Sequence, residues 1–146
     1  MISLSSDVIS AITSEGERAY PNECCGALLG TDCGERGRGA AYIFPVKNGR
    51  ELEEQYHRFE ILPEDYMASE READRLGLDV IGFYHSHPDH AACPSDYDRE
   101  HAVPWYSYVI VAVVCGRADD ITSWTLAPDR SMFEAEQIVR QDVDRT

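Results

Sequence analysis

"VIGFYHSHPDHAACPSDYD" runs from Val80 to Asp98 and joins an apolar segment to a cluster of histidine, cysteine and aspartate side chains. The apolar part, Val80 to about His87, predicts a buried strand. Pro88 ends that strand, because proline has no N–H for strand pairing. Residues i and i+2 of a strand point to the same face, about 7 Å apart, so His85 and His87 can converge on one ion.

An acidic side chain returns to the two histidines after the loop. Pro94 is followed by a predicted short helix, in which Asp98 comes one turn after Ser95. Two neutral imidazoles and one carboxylate form the three-ligand set of a catalytic zinc, with a fourth position left for water. His85, His87 and Asp98 are therefore candidate metal ligands.

Other interpretations of the same residues are common in proteins. Ser95 to Asp98 is also a capping-box pattern, in which the serine caps a helix and the acid reaches back. A single His-x-His is weak evidence because surface histidines are frequent. The combination of two same-face histidines, a proline and a returning acid favours the metal site.

Competing ligands lie nearby. His90 and Cys93 share the loop, and Cys24, Cys25 and Cys33 could supply thiolates to a structural zinc. No Cys-x-x-Cys pair supports such a site, and Cys25, in an apolar segment, fits a small buried hydrophobe. A cysteine–histidine hydrolase is a further alternative, although no cysteine has a distinctive context for it.

A hydrolytic metal also needs a base beside its water. The chain has 27 Asp and Glu residues, most of them expected at the surface. Glu23 differs because it directly precedes an apolar, glycine-bounded strand and can be held at the rim of the sheet.

Composition limits the class of protein. The 146 residues fit one domain, residues 1–146, and the net charge of −14 makes nucleic acid an unfavourable partner. We expect no signal peptide and no membrane span. Five cysteines are an odd number for a disulfide framework, so we expect reduced thiols and a cytoplasmic protein.

Strand and helix patterns interleave, with several links too short for a helical crossover. The sequence therefore predicts an α/β domain with a mixed sheet flanked by helices. The predicted strands are Cys25–Gly30, Ala40–Val46, Val80 to about His87, Tyr106–Cys115 and Ile121–Leu126. The predicted helices run from about Leu4 to Tyr20, from Pro63 to Leu76 with Gly77 closing it, after Pro94, and from about Ser131 with Phe133, Ile138 and Val139. Asn48-Gly49 predicts a turn.

These residues resemble a known family. The spacing His85-x-His87, seven residues, Ser95, two residues, Asp98 is similar to the JAMM motif of the MPN+ metalloproteases. "PNECCGALLG", from Pro21 to Gly30, resembles the family's first-strand signature, and "PWYSYVIVAV", from Pro104 to Val113, extends the likeness. The resemblance implies a JAMM/MPN fold, which is cytidine-deaminase-like.

The resemblance also implies roles for the site residues. His85, His87 and Asp98 would bind Zn²⁺, Glu23 would deprotonate the attacking water, and Ser95 would help to stabilise the oxyanion. None of these positions is replaced, which argues against the inactive relatives of the family.

Members of the family cleave bonds after the C-terminal glycines of ubiquitin-like proteins. This compact chain resembles the short prokaryotic members, which implies a ubiquitin-like sulfur-carrier protein with a Gly-Gly C-terminus as partner and release of an amino acid or C-terminal extension. The alternatives are a zinc amidohydrolase acting on a small molecule and a non-catalytic MPN-type interaction module. The sequence leaves a homodimer open.

Overall fold

The structure is a computed structural model that describes residues 1–141. Within them the chain forms eight strands and three α-helices, with short 3-10 turns at Gly34–Arg36 and Leu52–Glu54. The strands are β1 Ile2–Ser5, β2 Cys25–Asp32, β3 Arg38–Val46, β4 Asp79–Pro88, β5 Ser107–Val114, β6 Arg117–Leu126, β7 Phe133–Glu136 and β8 Ile138–Gln141. The helices are α1 Ser6–Ala19, α2 Pro63–Leu76 and α3 Asp96–His101.

All eight strands belong to one mixed sheet, in the order β7-β6-β5-β4-β2-β3-β1-β8. The β4–β5, β1–β3 and β1–β8 pairs are parallel, and the other neighbours are antiparallel. The five predicted strands are present, with boundaries shifted by a few residues. The predicted α/β fold with a mixed sheet and flanking helices is thereby confirmed.

The C-terminal helix predicted from about Ser131 is wrong. Phe133, Ile138 and Val139 lie in β7 and β8, which are separated by the single residue Gln137. β7 pairs with β6, whereas β8 pairs with β1, so one extended segment joins both ends of the sheet. The open edges of β6 and β1 supply hydrogen-bond partners for this segment's backbone groups. These bonds favour strands over the helix that the apolar spacing of the segment would also allow.

The first helix begins at Ser6, in the first turn that Ser5, Ser6 and Asp7 predict, although the predicted apolar spacing also includes Leu4. Leu4 belongs to β1, where Ile2 and Leu4 are fully buried and alternate with the less buried Ser3 and Ser5, as side chains do along a strand. Ser5 then caps α1, because its Oγ accepts a hydrogen bond of 3.2 Å from the Val8 N–H. The end predicted near Tyr20 is confirmed.

Helix α2 matches its prediction at both ends. Pro63 occupies the first turn, where its missing N–H costs nothing, and Gly77 closes the helix in the left-handed conformation at φ 71°. The short helix predicted after Pro94 is α3, with Ser95 as its N-cap.

Helices cover both faces of the sheet. α1 packs on one face against the buried residues of β1, β2, β4 and β5, and α2 packs on the other face near Phe83. Side chains of β4 alternate between the two faces, and those of His85 and His87 follow Phe83 on the α2 side. None of the helices within residues 1–141 combines the length and apolar character needed to cross a membrane.

Gly82 allows β4 and β5 to pair closely. A Cβ at this position would lie 2.1 Å from the carbonyl oxygen of Ser107, which is main chain and cannot rotate away. We expect Gly82→Ala to destabilise the fold by about 1–3 kcal/mol or more, because the strand must shift. Gly39→Ala is the matched control, since its Cβ would meet nothing closer than 4.0 Å. Thermal melting of both variants checks this, and equal melting temperatures would contradict it.

Candidate active site

The two histidines of the motif lie together at the C-terminal end of β4. Their Nε2 atoms are 3.1 Å apart, and both residues are buried, His85 at 1% and His87 at 7% exposure. β4 is held on both sides here, because His85 is paired with Cys25 of β2 and with Ile110 of β5. The central position of the strand fixes both rings.

Asp98 reaches the histidines from the first turn of α3. Its Oδ2 accepts a hydrogen bond of 2.9 Å from the Ser95 N–H, and its own N–H donates to Ser95 Oγ at 3.1 Å. This is a complete capping box, so the cap interpretation is correct. The same Oδ2 lies 3.3 Å from His85 Nε2 and 3.1 Å from His87 Nε2. The cap therefore also orients the carboxylate.

The three donor atoms form a triangle with the dimensions of a zinc site. Its sides measure 3.1, 3.1 and 3.3 Å. Ligands about 2.0–2.1 Å from a tetrahedral zinc lie roughly 3.3 Å from one another. The two imidazoles and the carboxylate thus fit that ion in chemistry and in spacing.

The protonation of His87 makes a cation at this place favourable. His87 Nδ1 lies 2.8 Å from the carbonyl oxygen of Ala91, so in the neutral ring the proton belongs on Nδ1. Nε2 then carries a lone pair and faces the Asp98 oxygen at 3.1 Å. Two acceptors at this distance repel each other unless a proton or a cation lies with them. The Ala91 contact is also the kind that orients a metal-binding histidine.

The pKa values of the two histidines shift in opposite directions. Burial lowers the pKa of His85, although attraction to Asp98 offsets part of this effect. Burial alone would also lower the pKa of His87, but its hydrogen bonds to Asp98 and Ala91 raise it overall. Phe59 stacks on His85 at 4.4 Å between ring centroids and fixes that ring by packing. A neutral His85 is the form that binds a metal ion.

Asp98 remains ionised although it is buried. Burial alone would raise the pKa of its carboxyl, but attraction to His85, the close contacts with Nε2 of both histidines and the hydrogen bond from the Ser95 N–H lower it overall. An ionised carboxylate beside neutral imidazoles supplies the negative charge that a divalent cation requires.

Glu23 lies beside the histidines, as the sequence predicts. One of its carboxylate oxygens and one ring nitrogen from each of His85 and His87 lie within 4.8 Å of one another. Within residues 1–141, Glu23 Oε1 is buried without a hydrogen-bond partner. Burial raises the pKa of this carboxyl to about 8, with attraction to His87 opposing the rise and repulsion from Asp98 adding to it. The group is poised to exchange a proton near neutral pH.

The competing ligands do not join this cluster. Among the described residues, no cysteine and no histidine other than His85 and His87 belongs to a group of three or more side chains close enough to share a metal ion. All five cysteines are free, and burial raises the pKa of Cys24 to about 12, which disfavours a thiolate. His90 and Cys93 are exposed in the loop. The structural zinc on thiolates and the cysteine–histidine hydrolase gain no support.

A cavity of about 640 Å³ opens beside His85 and Asp98. Its walls are mostly apolar and come from α2, α3, β4, β5 and the segment before α2. Phe59 and Ile61 line it from that segment, Tyr106 from just before β5 and Phe133 from β7. The sequence does not distinguish these residues as cavity walls, because an apolar side chain that lines a cavity has the same local pattern as one that fills a core.

Comparison with known proteins gives the family. The family described as prokaryotic homologs of the JAB domain matches residues 5–127. Over 114 residues the chain is 36% identical to the desampylase of Haloferax volcanii, covering 75% of this chain and 78% of that protein. It is 35% identical over 77 residues to the deubiquitinase BRCC36 of Camponotus floridanus, covering 49% of this chain and 30% of that protein.

Solved structures agree with this result. A protein from Salinibacter ruber superposes with a TM-score of 0.75 at 43% identity, over 97% of this chain and 93% of that chain. A JAB1/MPN domain protein from Archaeoglobus fulgidus superposes with a TM-score of 0.60 at 16% identity, over 97% of both chains, and supports the fold alone. Fold and relatives together define a hydrolase of the JAMM type. The chain belongs to the prokaryotic branch of the JAMM/MPN family.

The metal site can be tested directly. We expect purified protein to hold about one zinc per chain and His87→Ala to lose most of it, because one of three ligands is removed. His90→Ala is the matched control, since this exposed histidine of the same loop lies outside the cluster. Elemental analysis of the three proteins measures the content. Equal zinc in wild type and His87→Ala would place the metal elsewhere.

Proposed function

We propose that this protein is a zinc-dependent peptidase that cleaves the peptide or isopeptide bond after the C-terminal diglycine of a ubiquitin-like sulfur-carrier protein, and so releases an amino acid or a C-terminal extension. The observation that carries the proposal is the convergence of His85 Nε2, His87 Nε2 and Asp98 Oδ2 beside the buried carboxylate of Glu23.

His85, His87 and Asp98 would hold the zinc. When bound there, zinc activates water as a nucleophile at neutral pH and polarises the substrate carbonyl. The donor triangle, the Nδ1 contact of His87 and the ionised Asp98 all support this ligand set. Glu23 is proposed as the base rather than as a fourth ligand, because Asp98 Oδ2, at 3.3 and 3.1 Å from the two histidine Nε2 atoms, already completes a three-ligand set.

Glu23 would accept the proton of the attacking water and return it to the leaving amine. A nearby dication favours the ionised carboxylate, so the raised pKa of the free site would fall when the metal binds. The unpartnered Oε1 leaves one oxygen free to take up the proton. General base catalysis of this kind raises a reaction rate by about 10²–10⁴-fold.

Ser95 would stabilise the oxyanion. Its Oγ accepts one hydrogen bond, from the Asp98 N–H, which leaves its own hydrogen free to donate. Ser95 is exposed, so a substrate carbonyl can reach it. The hydroxyl can therefore cap α3 and donate to the developing charge.

The substrate class rests on the relatives and on the cavity. One relative is a desampylase and the other a deubiquitinase. The apolar walls next to His85 and Asp98 would receive the apolar residues of an extended carrier tail, while its glycines pass the metal. We propose a cytoplasmic setting, in keeping with the five free cysteines, and no nucleic-acid or membrane partner.

A zinc amidohydrolase acting on a small molecule is the second candidate. The cavity volume of about 640 Å³ lies in the range of small-molecule sites, which is the observation that favours it. Cleavage of a free small amide, with no turnover of any diglycine-ended carrier, would establish this alternative.

Glu23→Gln tests the proposed function. We expect the variant to keep its fold and zinc but to lose nearly all hydrolysis, because an amide cannot accept the proton. Glu15→Gln is the matched control: this half-buried acid on α1 accepts a hydrogen bond from Tyr84 and does not belong to the group that Glu23 forms with the histidines. Mass spectrometry of sulfur-carrier proteins extended past their diglycine, with and without a chelator, measures turnover. A Glu23→Gln rate near wild type would remove Glu23 from the mechanism.

Ser95→Ala separates the cap from the oxyanion role. We expect a loss of about 1 kcal/mol in the free energy of unfolding from the cap. We also expect kcat to fall on the order of 10²-fold from the lost donor. Ser5→Ala is the matched control, because Ser5 caps α1 in the same way outside the site. Thermal melting and steady-state kinetics measure both, and an unchanged kcat in Ser95→Ala would leave this serine as a cap only.

A further inference from the structure

The side-chain amide of Asn48 is buried and fully hydrogen bonded. Its Nδ2 donates to the carbonyl oxygens of Glu23 at 3.2 Å and Arg58 at 2.9 Å. Its Oδ1 accepts from the N–H groups of Arg50 at 3.0 Å and Glu60 at 3.1 Å. Two donors and two lone pairs are all that an asparagine side chain offers. Asn48-Gly49, predicted as a turn, lies in an irregular segment without a turn assignment, and the Asn48 amide is the centre of a hydrogen-bond network.

This network closes the loop of residues 48–60 on itself. The Gly49 N–H donates to the Glu60 carbonyl at 2.8 Å beside the two Oδ1 contacts. The far end of the loop carries Phe59, which stacks on His85 and lines the cavity. Asn48 therefore joins the wall of the cavity to the main chain of Glu23.

The main chain of Glu23 has few other restraints. Glu23 precedes β2, so the strand ladder does not hold it. Its N–H donates to the Gln55 carbonyl at 2.6 Å, and its carbonyl accepts from Asn48. The next residue, Cys24, donates its N–H to Ser86 Oγ at 2.8 Å. Since Glu23 Oε1 has no partner among residues 1–141, this backbone clamp sets the position of the carboxylate.

We propose that Asn48 is a positioning residue for Glu23: its amide fixes the Glu23 carbonyl and, with it, the direction of the carboxylate toward the histidines. The inference rests on the proposed function of Glu23 as the base. A catalytic group displaced by about 1 Å can cost on the order of 10²-fold in rate, so one main-chain hydrogen bond can matter for turnover.

Two variants test the proposal with a matched control. Asn48→Ala should lower kcat on the order of 10- to 100-fold, with KM within about threefold of wild type and zinc content unchanged. Asn48→Asp keeps the acceptors for Arg50 and Glu60 but turns an acceptor toward the Glu23 carbonyl, so its kcat should be at least as low. Glu54→Gln is the control, because it removes the ion pairs of Glu54 with Arg50 and Arg58 in the same loop and leaves Asn48 in place. Its kcat should stay within about twofold of wild type.

A double-mutant cycle separates positioning from general loosening of the loop. In the Glu23→Gln background, Asn48→Ala should lower the residual single-turnover rate by less than about twofold, because groups that act as a unit are not additive. Amide hydrogen exchange at Glu23 and Cys24 should be faster in Asn48→Ala and unchanged in Glu54→Gln. The proposal would be overturned if Asn48→Ala lowered the rate by the same factor in the Glu23→Gln background as in wild type, or if Asn48→Asp kept the wild-type kcat. The Asp variant carries the test if the Ala variant fails to fold.

These outcomes are distinct from failure of the proposed function. If Glu23→Gln turns over like wild type, the role of Glu23 as base is wrong, whatever Asn48 does. If Glu23→Gln is inactive and the cycle is additive, Glu23 remains the base and only the positioning role of Asn48 is rejected.

Discussion

The pairing of β2 with β4 brings Glu23 and the two histidines to one place. Ser86 lies between the two histidines and points to the other face of the sheet, where its Oγ accepts the Cys24 N–H while its own N–H donates to the Cys24 carbonyl at 3.1 Å. This two-way contact locks the register at the end of the pair. A slip of one residue would turn both histidines to the α1 face and move Glu23 out of reach. The alternation of side chains along β4 is therefore the constraint on which the site depends.

Electrostatics then favour a cation in the space that the pairing creates. Asp98 remains ionised, while Glu23 is buried with a raised pKa, so two carboxyl groups with opposite protonation preferences share one small volume. Environments that shift the pKa values of two neighbouring acids in opposite directions are common in hydrolytic sites, where one acid stays charged and the other transfers a proton. Because the pKa of Glu23 is raised, ionising this carboxyl disfavours the folded state, whereas the lowered pKa of Asp98 means that its ionised form favours it.

The local parts of the site follow from sequence spacing, whereas Glu23, which the β2–β4 pairing brings in, is predicted mainly through the family resemblance, and other parts that depend on distant pairing are not predicted. His85, His87, Ser95 and Asp98 lie within one strand–loop–helix unit, and spacing alone determines which face each side chain takes. The segment that contains Phe133 is predicted as a helix because its apolar spacing fits a helix and a strand equally. Only pairing with the free edges of β6 and β1 makes it extended. The role of Asn48 was equally hidden, because an Asn-Gly pair has the same sequence signal in a turn and in a buried network.

In helix α3 the Asp98 carboxylate that faces the histidines is also part of the N-terminal capping box. Its six residues, Asp96–His101, are too few to be stable without outside contacts. The capping box supplies two hydrogen bonds, and the Tyr97 hydroxyl adds a third by donating to the Phe59 carbonyl at 3.1 Å. One of the cap bonds ends on the Asp98 oxygen that faces the histidines. The same hydrogen bond therefore stabilises the start of the helix and orients the Asp98 carboxylate. A bound cation would in turn hold Asp98 in the orientation that completes the cap, and metal binding and the folding of α3 would stabilise each other.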